Sequence, residues 1–138
     1  MYRVLYIEDN PENRMLVRRI LSFSVGLFTL KEAESARKGI EFAQLEPPDI
    51  ILMDLSMPEM DGLTATRLMR AIPGLDNVPI IALTANVMKG DKERSLAAGC
   101  DGYIPKPIDI DKFPDEVLNY IRSGHERRTK QHQPTDPD

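Results

Sequence analysis

The run Asp49-Ile50-Ile51-Leu52-Met53 has no polar face. A strand with one face in water alternates apolar and polar side chains. A strand apolar on both faces belongs in the middle of a parallel sheet covered by helices on each side. This strand ends in a carboxylate, Asp54, and runs out into Leu55-Ser56-Met57-Pro58-Glu59-Met60-Asp61-Gly62. Packing gives no reason for an acid there. An earlier apolar run, Val4-Leu5-Tyr6-Ile7, ends the same way in Glu8-Asp9. Parallel strands end at one edge of their sheet, so three acidic side chains are expected to converge.

The rest of the chain alternates between the two periods. Asn10-Pro11 reads as a helix cap with proline in the first turn. The helix that follows, to about Phe23, carries Leu16, Val17, Ile20 and Leu21 as its stripe. A strand is expected around Leu27–Lys31, diluted by Lys31 and Glu32. Ser35 caps a helix to about Leu45, which Pro47-Pro48 stops. Asp61 caps a third helix, about Gly62 to Ala71, ended by Pro73-Gly74. Pro79–Leu83 is a second buried strand, closing in Thr84-Ala85-Asn86. A polar helix lies within Val87–Ala98, with Met88, Leu96 and Ala97 as its apolar anchors and Gly99 as its stop. Gly102–Pro105 is the last strand, and about Asp111 to Arg122 the last helix, with Phe113, Val117, Tyr120 and Ile121 inward. Five strands separated by helices specify an α/β fold: a doubly wound five-stranded parallel sheet with helices on both faces. Ligands of such sheets bind outside the carboxyl ends of the strands. Glu8, Asp9, Asp54, Thr84 and Lys106 all fall at such ends.

The chain of 138 residues supports one domain, residues 1–123, with 124–138 expected to be a flexible tail, polar and poor in apolar residues. No apolar run reaches the ~18–20 residues of a membrane helix, and the N-terminus has no signal-peptide core. A cytoplasmic protein without membrane association is expected. A net charge of −4 argues against a nucleic-acid surface, and the basic residues Arg122, Arg127, Arg128 and Lys130 read as a solvated tail. The single Cys100 excludes an internal disulfide and a cysteine metal cluster, and is expected as a small buried residue.

Clustered carboxylates repel: two unit charges ~4 Å apart cost roughly 4 kcal/mol at an effective dielectric of 20. A cation or a proton relieves the cluster. An all-oxygen donor set suits Mg²⁺. His125 and His132 both lie in the tail, away from the edge. Thr84 adds a hydroxyl and Lys106 a point cation, a set suited to the equatorial oxygens of a phosphoryl group in transit. A carboxylate nucleophile then yields an aspartyl-phosphate, and Asp54, alone on the central strand, fits that part best.

The segments Ile7-Glu8-Asp9-Asn10, Ile51-Leu52-Met53-Asp54, Met57-Pro58-Glu59-Met60-Asp61-Gly62, Ile81-Ala82-Leu83-Thr84-Ala85 and Tyr103-Ile104-Pro105-Lys106-Pro107 occur in this order. Together they closely resemble the receiver domain of two-component response regulators, over about residues 3 to 123. The stretch from Ala85 to Cys100 further resembles single-domain receivers of bacterial cell-cycle signalling and receivers of hybrid histidine kinases.

The resemblance implies a flavodoxin-like strand order 2-1-3-4-5 and a phosphoacceptor switch rather than a turnover enzyme. Asp54 would take the phosphoryl group from a sensor histidine kinase or a histidine phosphotransfer protein. Asp9, Asp54 and the Ser56 backbone carbonyl would bind Mg²⁺ (or Mn²⁺), with Glu8 acting through water. Thr84 and Lys106 would contact the phosphoryl oxygens, and Tyr103 would turn inward as Thr84 moves. Ser56 and Asn86 occupy positions that tune phosphate lifetime, and Lys106-Pro107 would be cis. Pro105 departs from the small residue usual in its slot, and is tolerable on an edge strand. With no room after the last helix for a DNA-binding module, output is expected through an unidentified protein at the face of the last strand and flanking helices, or by onward relay.

Each residue has a plainer role when taken alone. Glu8-Asp9 would favour a helix N-terminus, Thr84 a cap, Lys106 a solvated loop and Tyr103 simple packing. Their shared edge favours the joint function. A haloacid-dehalogenase-type phosphohydrolase would need an Asp where Ser56 stands. A flavodoxin-like electron carrier would need a hydroxyl-rich phosphate loop where Glu8-Asp9-Asn10-Pro11 stands. A degenerate scaffold would not keep all five site residues. The weak helix after Thr84, with Gly90 costing ~1 kcal/mol relative to Ala, is suited to two-state behaviour.

Overall fold

In the computed structural model, which describes residues 1–55, 61–85 and 91–131, strands and helices alternate throughout. They are β1 (Tyr2–Ile7), α1 (Pro11–Ser22), β2 (Phe28–Ala33), α2 (Ala36–Leu45), β3 (Ile50–Asp54), α3 (Gly62–Arg70), β4 (Ile80–Thr84), α4 (Asp91–Ala98), β5 (Gly102–Pro105) and α5 (Phe113–Gln131). The strands form one parallel sheet in the order β2-β1-β3-β4-β5, the doubly wound fold expected.

The sheet divides the core in two because side chains alternate along a strand. Ile51 and Met53 of β3 join Ala43, Ala65 and Met69 from α2 and α3. Ile50 and Leu52 join Val17, Ile20 and Leu21 of α1 and Phe113, Val117 and Ile121 of α5. Every residue of β3 and β4 is buried. The edge strand β2 is half exposed, which is why it accommodates Lys31 and Glu32. The Lys31 ammonium sits 4.3 Å from the centre of the Phe42 ring, and Glu32 takes two 2.7 Å hydrogen bonds from Arg18. Pro105 lies on the other edge strand, exposed.

The caps act as the sequence implies. Asn10 Oδ1 accepts from the Glu12 and Asn13 amides at 2.8 and 3.1 Å, Ser35 Oγ from Lys38 at 3.2 Å and Asp61 Oδ1 from Thr64 at 2.8 Å, each worth ~1 kcal/mol. Cys100 is buried, with its sulfur 3.7 Å from the Thr66 hydroxyl.

Three expectations need correction. Leu16 is 39% exposed, so the inward stripe of α1 is Val17, Ile20 and Leu21 alone. Helix α4 buries Ser95 and Ala98, whereas Leu96 and Ala97 face outward. Small side chains let a short helix lie close to its neighbours, so apolarity alone selects the wrong face; Met88 lies outside the described residues. Helix α5 does not end near Arg122 but continues to Gln131. Nothing between these positions breaks a helix except Gly124, and that glycine is buried against Pro79, where an added Cβ would lie 3.0 Å from the proline ring. The chain turns into this helix at Asp109, whose carboxylate accepts the Asp111 and Lys112 amides at 3.0 and 3.3 Å.

Candidate functional site

The parallel register brings the ends of β1, β3, β4 and β5 to one edge. Ile7 pairs with Met53, Asp54 with Leu83 and Thr84 with Pro105. Glu8 and Asp54 are only 1% and 2% exposed there. Carboxylate oxygens of Glu8, Asp9 and Asp54 lie within 4.8 Å of one another, with Asp9 on the exposed side. Lys106 follows β5, its amide bonded to the Thr84 carbonyl at 2.8 Å. Its ammonium bridges the two buried acids, 3.1 Å from Glu8 Oε1 and 3.0 Å from Asp54 Oδ1. Thr84 is buried at the end of β4. The Lys106–Pro107 peptide is cis.

Among the described residues, one ammonium does not balance this much negative charge. Burial first, then the hydrogen bond and charge of Glu8, push the Asp54 carboxyl up to about 6, against the pull of Lys106. Burial also pushes Glu8 upward, but hydrogen bonding to Asp54, the Lys106 charge and the Asn13 amide outweigh it and hold Glu8 at about 2. The pair therefore titrates in two separated steps, and near neutral pH a proton still competes for Asp54. Lys106 is desolvated, yet its two carboxylate partners raise it, so it stays charged.

Glu8 is itself held from several directions. Its Oε1 accepts from the Tyr6 hydroxyl at 3.2 Å and Asn13 Nδ2 at 2.9 Å. Its backbone carbonyl accepts from Arg14 at 2.8 Å. Burial and the Glu8 charge raise the Tyr6 phenol far above its ordinary value, so it remains a donor. Gly62, the first residue of α3, packs on the end of β3: a Cβ there would lie 2.7 Å from the Asp54 carbonyl oxygen and 2.9 Å from Leu55 Cα. Sequence reasoning did not single out Tyr6, Asn13, Arg14 or Gly62 for the site. The signal for Tyr6 was present, as the one polar-tipped side chain in an aliphatic run.

Of the residues expected at the site, Glu8, Asp9, Asp54, Thr84 and Lys106 share the edge. Tyr103 lies on β5, half-buried against the core on the α2 and α3 side, and its carbonyl accepts from the Tyr120 hydroxyl at 3.4 Å. Ser56 and Asn86 lie outside the described residues.

The family model of the response regulator receiver domain matches residues 4–118. The chain belongs to that family. Relatives of this receiver domain include the polar-differentiation response regulators DivK of Brucella ovis and Brucella anthropi. They are 37% and 36% identical over 118 residues, covering 86% of this chain and 94% of each relative. Among solved structures, the receiver domain of the sensor histidine kinase PA1611 from Pseudomonas aeruginosa is 35% identical, with a TM-score of 0.79 over 88% of this chain and 98% of that one. That structure has a magnesium ion coordinated in its active-site cleft. The chemotaxis protein CheY4 of Vibrio cholerae, 24% identical with a TM-score of 0.82 over 87% of this chain and 98% of that one, shares the fold.

This receiver domain is thus a phosphoacceptor module of two-component signalling. Receiver domains bind Mg²⁺ at an acidic site, and the donor set here fits that ion: three carboxylates, close together, with neither histidine nor cysteine among them. Among the described residues, no helix is long and apolar enough to cross a membrane.

Proposed function

We propose that Asp54 is the phosphoacceptor of a switch driven by a histidine kinase or a histidine phosphotransfer protein. The observation that carries this reading is the Asp54 carboxylate itself, 2% exposed, 3.0 Å from Lys106 and within reach of two further carboxylates. An Asp54 oxygen attacks the phosphorus of a phosphohistidine. A P–O bond forms, the P–N bond breaks, and the electron pair leaves with the imidazole nitrogen. Lys106 and Thr84 then bind the phosphoryl oxygens, the first with its charge and the second with its hydroxyl.

Asp9, Asp54 and the Ser56 carbonyl hold Mg²⁺ or Mn²⁺, with Glu8 acting through water. The ion supplies positive charge against the phosphoryl oxygens when bound. Positive charge held at this site would also favour the ionised Asp54 carboxylate over its protonated form.

The readout runs through Thr84 and Tyr103 to α4, β5 and α5, where an output protein docks, or the phosphate passes onward in a relay. Ser56 and Asn86 tune the lifetime of the phosphate. The receiver unit spans residues 1–123, with 124–138 as a C-terminal extension, in a cytoplasmic protein without direct nucleic-acid or membrane contact.

Incubation with Mg²⁺ and acetyl phosphate, followed by intact mass, tests the core of this reading. One base-labile phosphate is expected on the native chain, lost in Asp54→Asn and on chelation of Mg²⁺. No phosphate on the native chain, or an equal amount on Asp54→Asn, would overturn it.

A further inference from the structure

We infer that Tyr6 and Asn13 are positioning residues that hold the Glu8 carboxylate toward the cation site when Lys106 is drawn to the phosphoryl group. The inference rests on the reading of Asp54 as phosphoacceptor and deepens it. One oxygen of Glu8, Oε1, takes three donors: Asn13 Nδ2 at 2.9 Å, Lys106 Nζ at 3.1 Å and the Tyr6 hydroxyl at 3.2 Å. The other oxygen, Oε2, has the Asn10 amide at the long distance of 3.5 Å.

The three donors differ in what else they must do. Lys106 also holds Asp54 at 3.0 Å and must follow any phosphoryl group placed there. Among the described residues, Tyr6 and Asn13 have no such second duty. Tyr6 is fully buried in β1, two residues before Glu8, among the aliphatic side chains of the α1 and α5 face. Asn13 is fixed in the first turn of α1, its own amide capped by Asn10 at 3.1 Å. Without them, departure of Lys106 would leave a carboxylate 1% exposed with its main donor gone, a costly state for a buried charge. With them, Glu8 keeps its rotamer through the cycle.

The plainer alternative is that Tyr6 only fills core volume. Phenylalanine would fill the same volume, so the hydroxyl is the part to test. Mg²⁺ affinity is measured by calorimetry on the full chain, together with the Mg²⁺ dependence of acetyl phosphate labelling, for the native protein, Tyr6→Phe and Asn13→Ala. Each substitution is expected to weaken Mg²⁺ roughly 3–10-fold, a little less than usual for partners of direct ligands because Glu8 acts through water. Each should raise the Mg²⁺ midpoint of labelling and leave its plateau intact. Unchanged affinity in both variants overturns the inference. So does a lowered plateau at an unchanged midpoint, which is the mark of a packing role. A native chain that binds no Mg²⁺ overturns the cation site itself, a failure distinct from either.

Discussion

Two ion clusters sit at opposite ends of the sheet, and they are built differently. At the amino end, the Arg70 guanidinium donates to the carbonyls of Gly99, Leu75, Asp76 and Val78 at 2.7 to 3.2 Å and pairs with the Asp101 carboxylate. Asp101 in turn accepts the Ile80 amide at 2.9 Å. Among the described residues, one positive charge here meets one negative charge, and backbone carbonyls accept from the Nε and Nη1 groups. At the carboxyl end, one Lys106 faces two buried acids and a third nearby. Among the described residues the first cluster is balanced in charge, and it ties α3, the start of β4 and the α4–β5 turn together. Among the described residues the second is short of positive charge, and that deficit lies where we propose that a cation and a phosphoryl group bind. Charge balance, more than burial, separates a structural hub from a functional one.

The largest effect should come from the balanced hub. Arg70→Met takes the guanidinium away from Asp101 and from several carbonyls, and breaking such a pair costs about 3–5 kcal/mol when fully buried. Both side chains are about one-fifth exposed, so a loss of about 3 kcal/mol in urea unfolding is expected. A loss below ~1 kcal/mol, the level of a surface ion pair, would mean that the hub is no hub. Next comes Gly62→Ala, which forces a Cβ to 2.7 Å from the Asp54 carbonyl, backbone that cannot rotate away. Overpacking of this kind costs about 1–3 kcal/mol, and because it displaces Asp54 it should also slow labelling by acetyl phosphate. Normal stability with normal labelling would show that α3 does not set the position of Asp54.

The unbalanced cluster predicts the opposite sign. Burial and Glu8 make ionised Asp54 unfavourable in the fold, so Asp54→Asn should stabilise the protein in the absence of metal. A shift of about two pKa units bounds the gain at roughly 3 kcal/mol. Since Glu8 and Lys106 share that energy, a gain of about 1–2 kcal/mol in urea unfolding at pH 8 is expected. Saturating Mg²⁺ should reverse the order, because only the native carboxylate gains from the ion. A destabilised Asp54→Asn without metal would place the two clusters in one class.

The carboxyl edge was legible because strand ends are marked in sequence: Asp54, Glu8 and Lys106 each follow an apolar run, and parallel pairing does the rest. The faces of helices were less so. In α1 the stripe was one residue too wide at Leu16, and in α4 the small Ser95 and Ala98 went inward ahead of Leu96, because periodicity gives a helix's phase but not which neighbour covers it. The extent of α5 depended on Gly124 meeting Pro79, a contact between residues far apart in the chain. The same holds for Tyr6 and Asn13: a strand hydroxyl and a helix amide meet on one carboxylate oxygen only after α1 packs on the sheet.

The finest test of the comparison is the pH dependence of stability. Asp54 binds its proton more tightly when folded, about 6 against 3.8. Its contribution is therefore full below about pH 4 and is lost as pH rises through about 6. Glu8, at about 2 against 4.5, acts in the reverse sense: its contribution is present above about pH 4.5 and is lost as pH falls through about 2. Without metal, stability should peak between these windows and decline from about pH 4.5 toward 7, by at most ~1.4 kcal/mol per pH unit for one proton, and the melting temperature should follow it. On the proposed reading, Mg²⁺ binds the ionised form and adds stability with its concentration. The melting curves with and without Mg²⁺ should therefore coincide at low pH and separate as pH rises through about 6. The hub of Arg70 and Asp101 lies far from this edge, and Arg70→Met should lower both curves without changing the pH at which they part. Parallel curves in the native protein would show that the ion does not act on the Asp54 carboxylate, and the contrast between the two clusters would then be one of charge count alone.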